Sequence, residues 1–168
     1  DIVLLQLEIP METVEYVAKI ASEKGKKVIL NPAPAQPLSA ELLSHLYLVT
    51  PNETEAEMIS GVKIIDEASA NEAARVLSEK GVQNVIITLG SKGALVYNEG
   101  KSEVVPAYKV KAVDTTAAGD VFNGALTVAL SEGRNLIEAS RFGCKASAIA
   151  VTRPGAHSSA PYRNEVDI

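Results

Sequence analysis

Apolar residues along the chain fall into short unbroken runs, separated by longer stretches in which they recur every three or four positions. That alternation predicts strands covered by helices. Ile2 to Glu8 reads as a fully buried strand. Met11, Val14, Val17, Ala18 and Ala21 then keep helical spacing up to a stop at Lys24-Gly25, before a second strand at Lys27 to Leu30. Three prolines make Asn31 to Pro37 a rigid loop. Leu46 to Thr50 predicts a strand, Asn52 to Ser60 a short helix, and Ser69 to Lys80 a helix closed by Gly81. Asn84 to Thr88 predicts a central strand, apolar on both faces.

Beyond Thr88 the pattern changes. Ala94 to Tyr97, Ser102 to Val105 and Tyr108 to Val113 are short strand-like runs, broken by Asn98-Glu99-Gly100 and by Pro106 in the manner of hairpins at a sheet edge. Two Ala-rich helices follow, Gly119 to Ser131 and Leu136 to about Val151, joined through Gly133. Ser-Glu-Lys-Gly occurs at Ser22 to Gly25 and at Ser78 to Gly81, each time with Lys in a last helical turn and Gly just past it. This predicts similar helix ends and not a duplication. The expected fold is one α/β domain over residues 1–168, a largely parallel sheet flanked by helices with a small hairpin-rich edge. Ligands of such folds gather at the carboxyl ends of the strands.

Composition narrows the partners. A chain of 168 residues needs no disulfide or metal to fold. A net charge of −5, no long basic run, no Trp and only two Phe and five Tyr exclude a nucleic-acid surface and leave a small-molecule ligand. Cys144 is the lone cysteine, which rules out a disulfide framework and a Cys-rich zinc site and predicts the reducing cytoplasm. No apolar segment reaches the length of a membrane span. The opening strand has no turn or cap before it, so the chain is expected to be part of something longer.

The chemistry concentrates at Asp114-Thr115-Thr116-Ala117-Ala118-Gly119-Asp120. A helix starting near Gly119 aims unpaired N–H groups and the positive end of its dipole at whatever lies in front, which describes a phosphate site. Asp120, in the first turn, then stands where a carboxylate can take a proton from an attacking hydroxyl. An acidic first turn on an ordinary helix accounts for the same residues. Thr88-Leu89-Gly90-Ser91-Lys92-Gly93 follows a strand and offers glycines, hydroxyls and a Lys to a nucleotide, although a tight turn between strands also calls for those glycines. Asn52 and Glu55, three apart, read either as a capping box or as organisers of hydrated Mg²⁺. Thr152 to Ala156, after the last helix, is a loop rich in backbone carbonyls.

Taken in this order, with Asn31-Pro32-Ala33-Pro34, Pro51 to Glu55, Thr88 to Gly93, Val113 to Asp120 and Ala148 to Ala156, the chain resembles the ribokinase-like carbohydrate kinases over essentially its whole length. The resemblance implies ATP-dependent phosphorylation of a sugar hydroxyl, D-ribose to ribose 5-phosphate first, with fructose or a nucleoside as other acceptors. It implies that Asp120 is the base and that Ala117, Ala118 and Gly119 form the anion hole, although many relatives have Gly at the position of Ala117. Asn52 and Glu55 then position Mg²⁺, and Thr88, Leu89, Gly90, Ser91, Lys92 and Gly93 meet the nucleotide. Cys144 falls where relatives place an Asn or His against the nucleotide, though a packing role suits a Cys there better; Glu8 aligns with a residue directed at the sugar. Asp114, Thr116, Ala150, Arg153, Gly155 and Ser159 match a loop that binds a monovalent cation, K⁺. The family's N-terminal half and its β-sheet lid, through which the parent is expected to form a homodimer, do not appear in this sequence. The 168 residues alone are therefore expected to be inactive, and a catalytically incomplete nucleotide-binding module is the other class of reading. His45 and His157 match no site motif and are expected to be structural or superficial.

Overall fold

The structure, a computed structural model, describes residues 1–167. Among these residues six strands form one sheet in the order β1 (Ile2–Leu5), β2 (Lys27–Leu30), β3 (Leu48–Val49), β4 (Asn84–Thr88), β5 (Gly93–Asn98) and β6 (Lys101–Pro106). The first four pair in parallel, each with its predecessor in the chain. β5 and β6 are neighbours joined by Glu99 and Gly100, both with positive φ, a two-residue turn that only an antiparallel pair accommodates. Among the described residues seven α-helices accompany them: α1 (Met11–Glu23), α2 (Ala40–Ser44), α3 (Glu53–Ser60), α4 (Glu67–Glu79), α5 (Ala118–Ser131), α6 (Leu136–Ala150) and α7 (Arg163–Val166). This is the expected largely parallel α/β sheet with a hairpin edge.

The described residues divide into two compact units. One comprises Asp1–Leu89 with Leu95–Glu103, and the other Gly90–Ala94 with the chain from Val104 onward. In the first, Val28, Ile29, Leu30, Leu48, Val49, Val85, Ile86 and Ile87 are fully buried, as unbroken apolar runs in a covered parallel sheet must be. In the second, α5 packs on α6 and α6 on α7.

Three expectations shift. The opening strand stops at Leu5 and is only half-buried, with Leu4 39% exposed, because it is the terminal strand of the sheet and has a neighbour on one side alone among the described residues. Tyr108 to Val113 forms no strand: Tyr108, Val110 and Val113 are exposed, and past Pro106 the segment finds no ladder until the N–H groups of Val113 and Asp114 meet the carbonyl of Val151. The strand predicted at Leu46 to Thr50 shortens to Leu48–Val49, though Tyr47 and Thr50 still donate to β2 carbonyls at 2.9 and 3.0 Å.

Candidate active site

Helix starts differ along this chain. α3, α4 and α6 each close their first turn with a capping box, led by Asn52, Asp66 and Asn135. α5 has no side-chain cap. Its leading residue, Ala117, sits at φ +60°, a left-handed conformation costing an L-residue roughly 1–2 kcal/mol, which is the physical reason glycine suits this position. Of the N–H groups from Ala117 to Asp120, that of Ala118 donates to the Thr115 carbonyl at 3.2 Å. Those of Ala117, Gly119 and Asp120 bond no other atom among the described residues. The turn thus offers donors and a dipole end with nothing of its own to receive them.

Gly119 needs its identity for neither fold nor packing: its φ is not positive and a Cβ placed on it meets nothing within 4 Å. The space in front of this turn is open. Asp120 is exposed and borders a groove of about 570 Å³, with Val121 and Gly124 of α5, Ala146 of α6 and His157 of the following loop. His157, expected to be structural or superficial, is exposed and lines the same groove as Asp120.

The loop ahead of α5 is held from both sides. Asp114 Oδ1 accepts from the Thr116 N–H at 2.9 Å and Oδ2 from the Gly155 N–H at 2.8 Å, so one carboxylate ties the α5 loop to the loop after α6, 41 residues away. Hydrogen bonds from Thr116, through its side chain and its N–H, and then from Gly155 lower the Asp114 pKa from 3.8 to about 2. A depressed carboxyl supports the fold fully above its unfolded pKa and loses that support as pH falls towards the folded value, here between about 4 and about 2. The carbon-13 shift of the Asp114 carboxyl is accordingly expected to show it still ionised at pH 3, where half-protonation near 3.8 would mean that these bonds are not made in solution. Arg153 turns its guanidinium to Glu165 of α7, leaving only its carbonyl for the loop. Ser159 is fully buried and its hydroxyl donates to the Ala156 carbonyl at 2.7 Å.

In the first unit the capping box is fully made. Asn52 Oδ1 accepts from the Glu55 N–H at 2.9 Å, while Glu55 Oε2 and Oε1 accept from the Asn52 N–H and Nδ2 at 2.8 and 2.9 Å. Burial raises the Glu55 pKa, against the lowering effect of the Asn52 N–H. Thr88 lies beside this box, bridged to Asn52 in parallel and donating its N–H to the Pro51 carbonyl at 2.9 Å. Glu8 is exposed just past β1. Gly90–Lys92 forms a single 3₁₀ turn, and both Gly90 and Gly93 have positive φ, as a tight turn requires. A Cβ on Gly93 would lie 2.0 Å from the Val105 carbonyl oxygen, so packing alone demands this glycine. Cys144 is buried on α6, and burial pushes its thiol up to about 11, leaving it protonated and unreactive near neutrality.

Two residues without a sequence-assigned role also touch the α5 turn: Ser147 donates to the Ala118 carbonyl and Asn123 to the Gly119 carbonyl. Asn123 carries a faint signal, a polar residue in an apolar stretch, whereas Ser147 carries none.

The model of the pfkB family of carbohydrate kinases matches residues 2–163. The chain belongs to that family. It is 54% identical to the ribokinase of Haemophilus influenzae over 165 residues, 98% of this chain and 54% of that protein. The structure of ribokinase from Thermotoga maritima superposes with a TM-score of 0.90 at 50% identity, over 99% of this chain and 55% of the other. That of Arabidopsis thaliana ribokinase, complexed with ribose and ATP, gives a TM-score of 0.94 at 36% identity, over 98% and 54%. The chain spans about half the length of the relatives it matches. Among the described residues of this pfkB-family chain, no helix is long and apolar enough to cross a membrane, and no cluster of three His, Cys, Asp or Glu is placed to hold a metal ion.

Proposed function

We propose that the full-length polypeptide carrying this chain transfers the γ-phosphoryl group of ATP to a sugar hydroxyl, converting D-ribose to ribose 5-phosphate, and that this chain supplies the nucleotide-binding and base-bearing half. The α5 turn carries the proposal: unpaired N–H groups, a glycine that nothing in the fold requires, and a carboxylate in the same turn facing open space. Similarity to ribokinases, one of them solved with ribose and ATP, supports the choice of acceptor.

In this reading Asp120 accepts the proton of the sugar hydroxyl as its oxygen bonds to the γ-phosphorus, the bond to the β–γ bridging oxygen breaks, and ADP leaves with that electron pair. The N–H groups of Gly119 and Asp120 receive charge on the transferring group. Thr88 to Gly93 receives the nucleotide. Asn52 and Glu55, whose side-chain oxygens each accept one hydrogen bond and keep a further lone pair, suit a hydrated Mg²⁺ through its waters. When bound, Mg²⁺ supplies charge neutralisation of the phosphates. Asp114 and the carbonyls of Thr116, Ala150, Arg153, Gly155 and Ser159 form an oxygen-only donor set suited to a hard cation such as K⁺.

The test is ADP release by the full-length polypeptide with D-ribose, D-fructose or a nucleoside, and phosphorus NMR of the product. Ribose-dependent ADP release with phosphate on the 5-carbon is expected. Nucleotide binding without ADP release on any acceptor would overturn the kinase reading and leave a nucleotide-binding module.

A further inference from the structure

Within α6, Ser140 makes the usual bond of a helical serine, donating to the carbonyl four residues back at 2.7 Å. Ser147, two turns on, does otherwise. Its hydroxyl crosses to α5 and donates to the Ala118 carbonyl at 3.0 Å. One residue further into α5, the Gly119 carbonyl accepts from Asn123 Nδ2 at 2.9 Å, and Asn123 is 3% exposed.

A peptide unit is planar, so the carbonyl of one residue and the N–H of the next share a rigid plate and point in opposite directions. Holding the Ala118 carbonyl therefore fixes the N–H of Gly119, and holding the Gly119 carbonyl fixes the N–H of Asp120. Those N–H groups bond no other atom among the described residues. A donor on the carbonyl side also polarises the unit and strengthens its N–H as a donor. We infer that Ser147 and Asn123 are positioning residues of the phosphoryl-binding turn, orienting and polarising the two peptide units that meet the transferring group. The inference rests on the proposed kinase reading of that turn.

The packing of α5 on α6 explains why a serine reaches so far. A Cβ on Gly143 would lie 2.9 Å from the Phe122 ring and 3.1 Å from its carbonyl oxygen, so glycine sets the approach of the two helices there. Ser147 is four residues after Gly143, and Ala118 is four before Phe122. The two contacts are successive rungs of an antiparallel helix pair, the first setting the distance and the second using it.

The test uses Ser147→Ala, Ser147→Thr and Asn123→Ala in the full-length polypeptide, with Asp120→Asn alongside. Alanine suits the Ala-rich α6, so Ser147→Ala is expected to fold as the parent does. Its kcat should fall about tenfold while KM for ATP and for sugar stays within twofold. Binding of ADP with aluminium fluoride and sugar, a planar mimic of the group in flight, should weaken by a similar factor, and Ser147→Thr, which keeps the hydroxyl, should restore most of kcat. Asn123→Ala, which leaves the Gly119 carbonyl without its side-chain donor, should shift kcat in the same direction.

A Ser147→Ala kcat within twofold of the parent, or a loss accounted for by a smaller folded fraction, overturns the inference. If Asp120→Asn lowers turnover while Ser147→Ala does not, only the positioning role fails. If Asp120→Asn leaves turnover intact, the kinase reading of the turn fails first.

Discussion

Replacing Asp120 by Asn in the full-length polypeptide is expected to lower turnover by about a hundredfold or more, because the amide keeps the size of the carboxylate but cannot accept the proton of the sugar hydroxyl. That loss corresponds to about 2.7 kcal/mol of barrier. Nucleotide affinity should scarcely change. The side chain is exposed and enters no hydrogen bond or ion pair among the described residues, so the fold loses only its interaction with the helix dipole, about 0.3–1 kcal/mol. Melting temperature, nucleotide affinity and turnover measured on one preparation separate the outcomes. Near-normal turnover with a lowered melting point would make Asp120 an ordinary first-turn acid.

The largest stability effect is expected at Gly93. Its φ of +111° is one that residues with a side chain rarely adopt, and an added Cβ would lie 2.0 Å from the Val105 carbonyl oxygen and 2.7 Å from the Ala107 nitrogen. Both neighbours are backbone and cannot swing aside. Gly93→Ala should therefore cost about 3 kcal/mol or more and lower the melting temperature by roughly 6–12 °C. Gly90, three residues earlier, has φ +55° but open space around it, so its alanine variant bears only the conformational cost of about 1–2 kcal/mol. Equal, small effects at both positions would show that the hairpin does not pack as described.

What was legible in the sequence was local. β2 and β4 announce themselves because runs such as Val28-Ile29-Leu30 and Val85-Ile86-Ile87 are apolar on both faces, a pattern that needs no knowledge of the neighbours. The helix start at Asn52 was readable because its cap and its third residue lie close together in the chain. β1 and the segment from Tyr108 to Val113 were misjudged for one reason: how far an apolar run is buried depends on whether a strand lies beside it, and nothing in the run records that. α2 and α7, of five and four residues, are too short to show a period.

The same division runs through the site. The turn from Ala117 to Asp120 reads as a candidate anion site because the signal lies in a few adjacent residues. The bracket from Asp114 to Gly155 and the reach of Ser147 to Ala118 span 41 and 29 residues, so only the fold brings those partners together.

The open space around Gly119 carries a warning for protein engineers. A helical glycine with room for a methyl group and an ordinary φ is what a thermostabilisation screen selects for exchange to alanine, worth roughly 0.5–1 kcal/mol in a helix interior and less near its start. Here the methyl group would stand beside the N–H groups proposed to meet phosphate. A screen scored on melting temperature alone would keep that variant and discard catalytic power unnoticed.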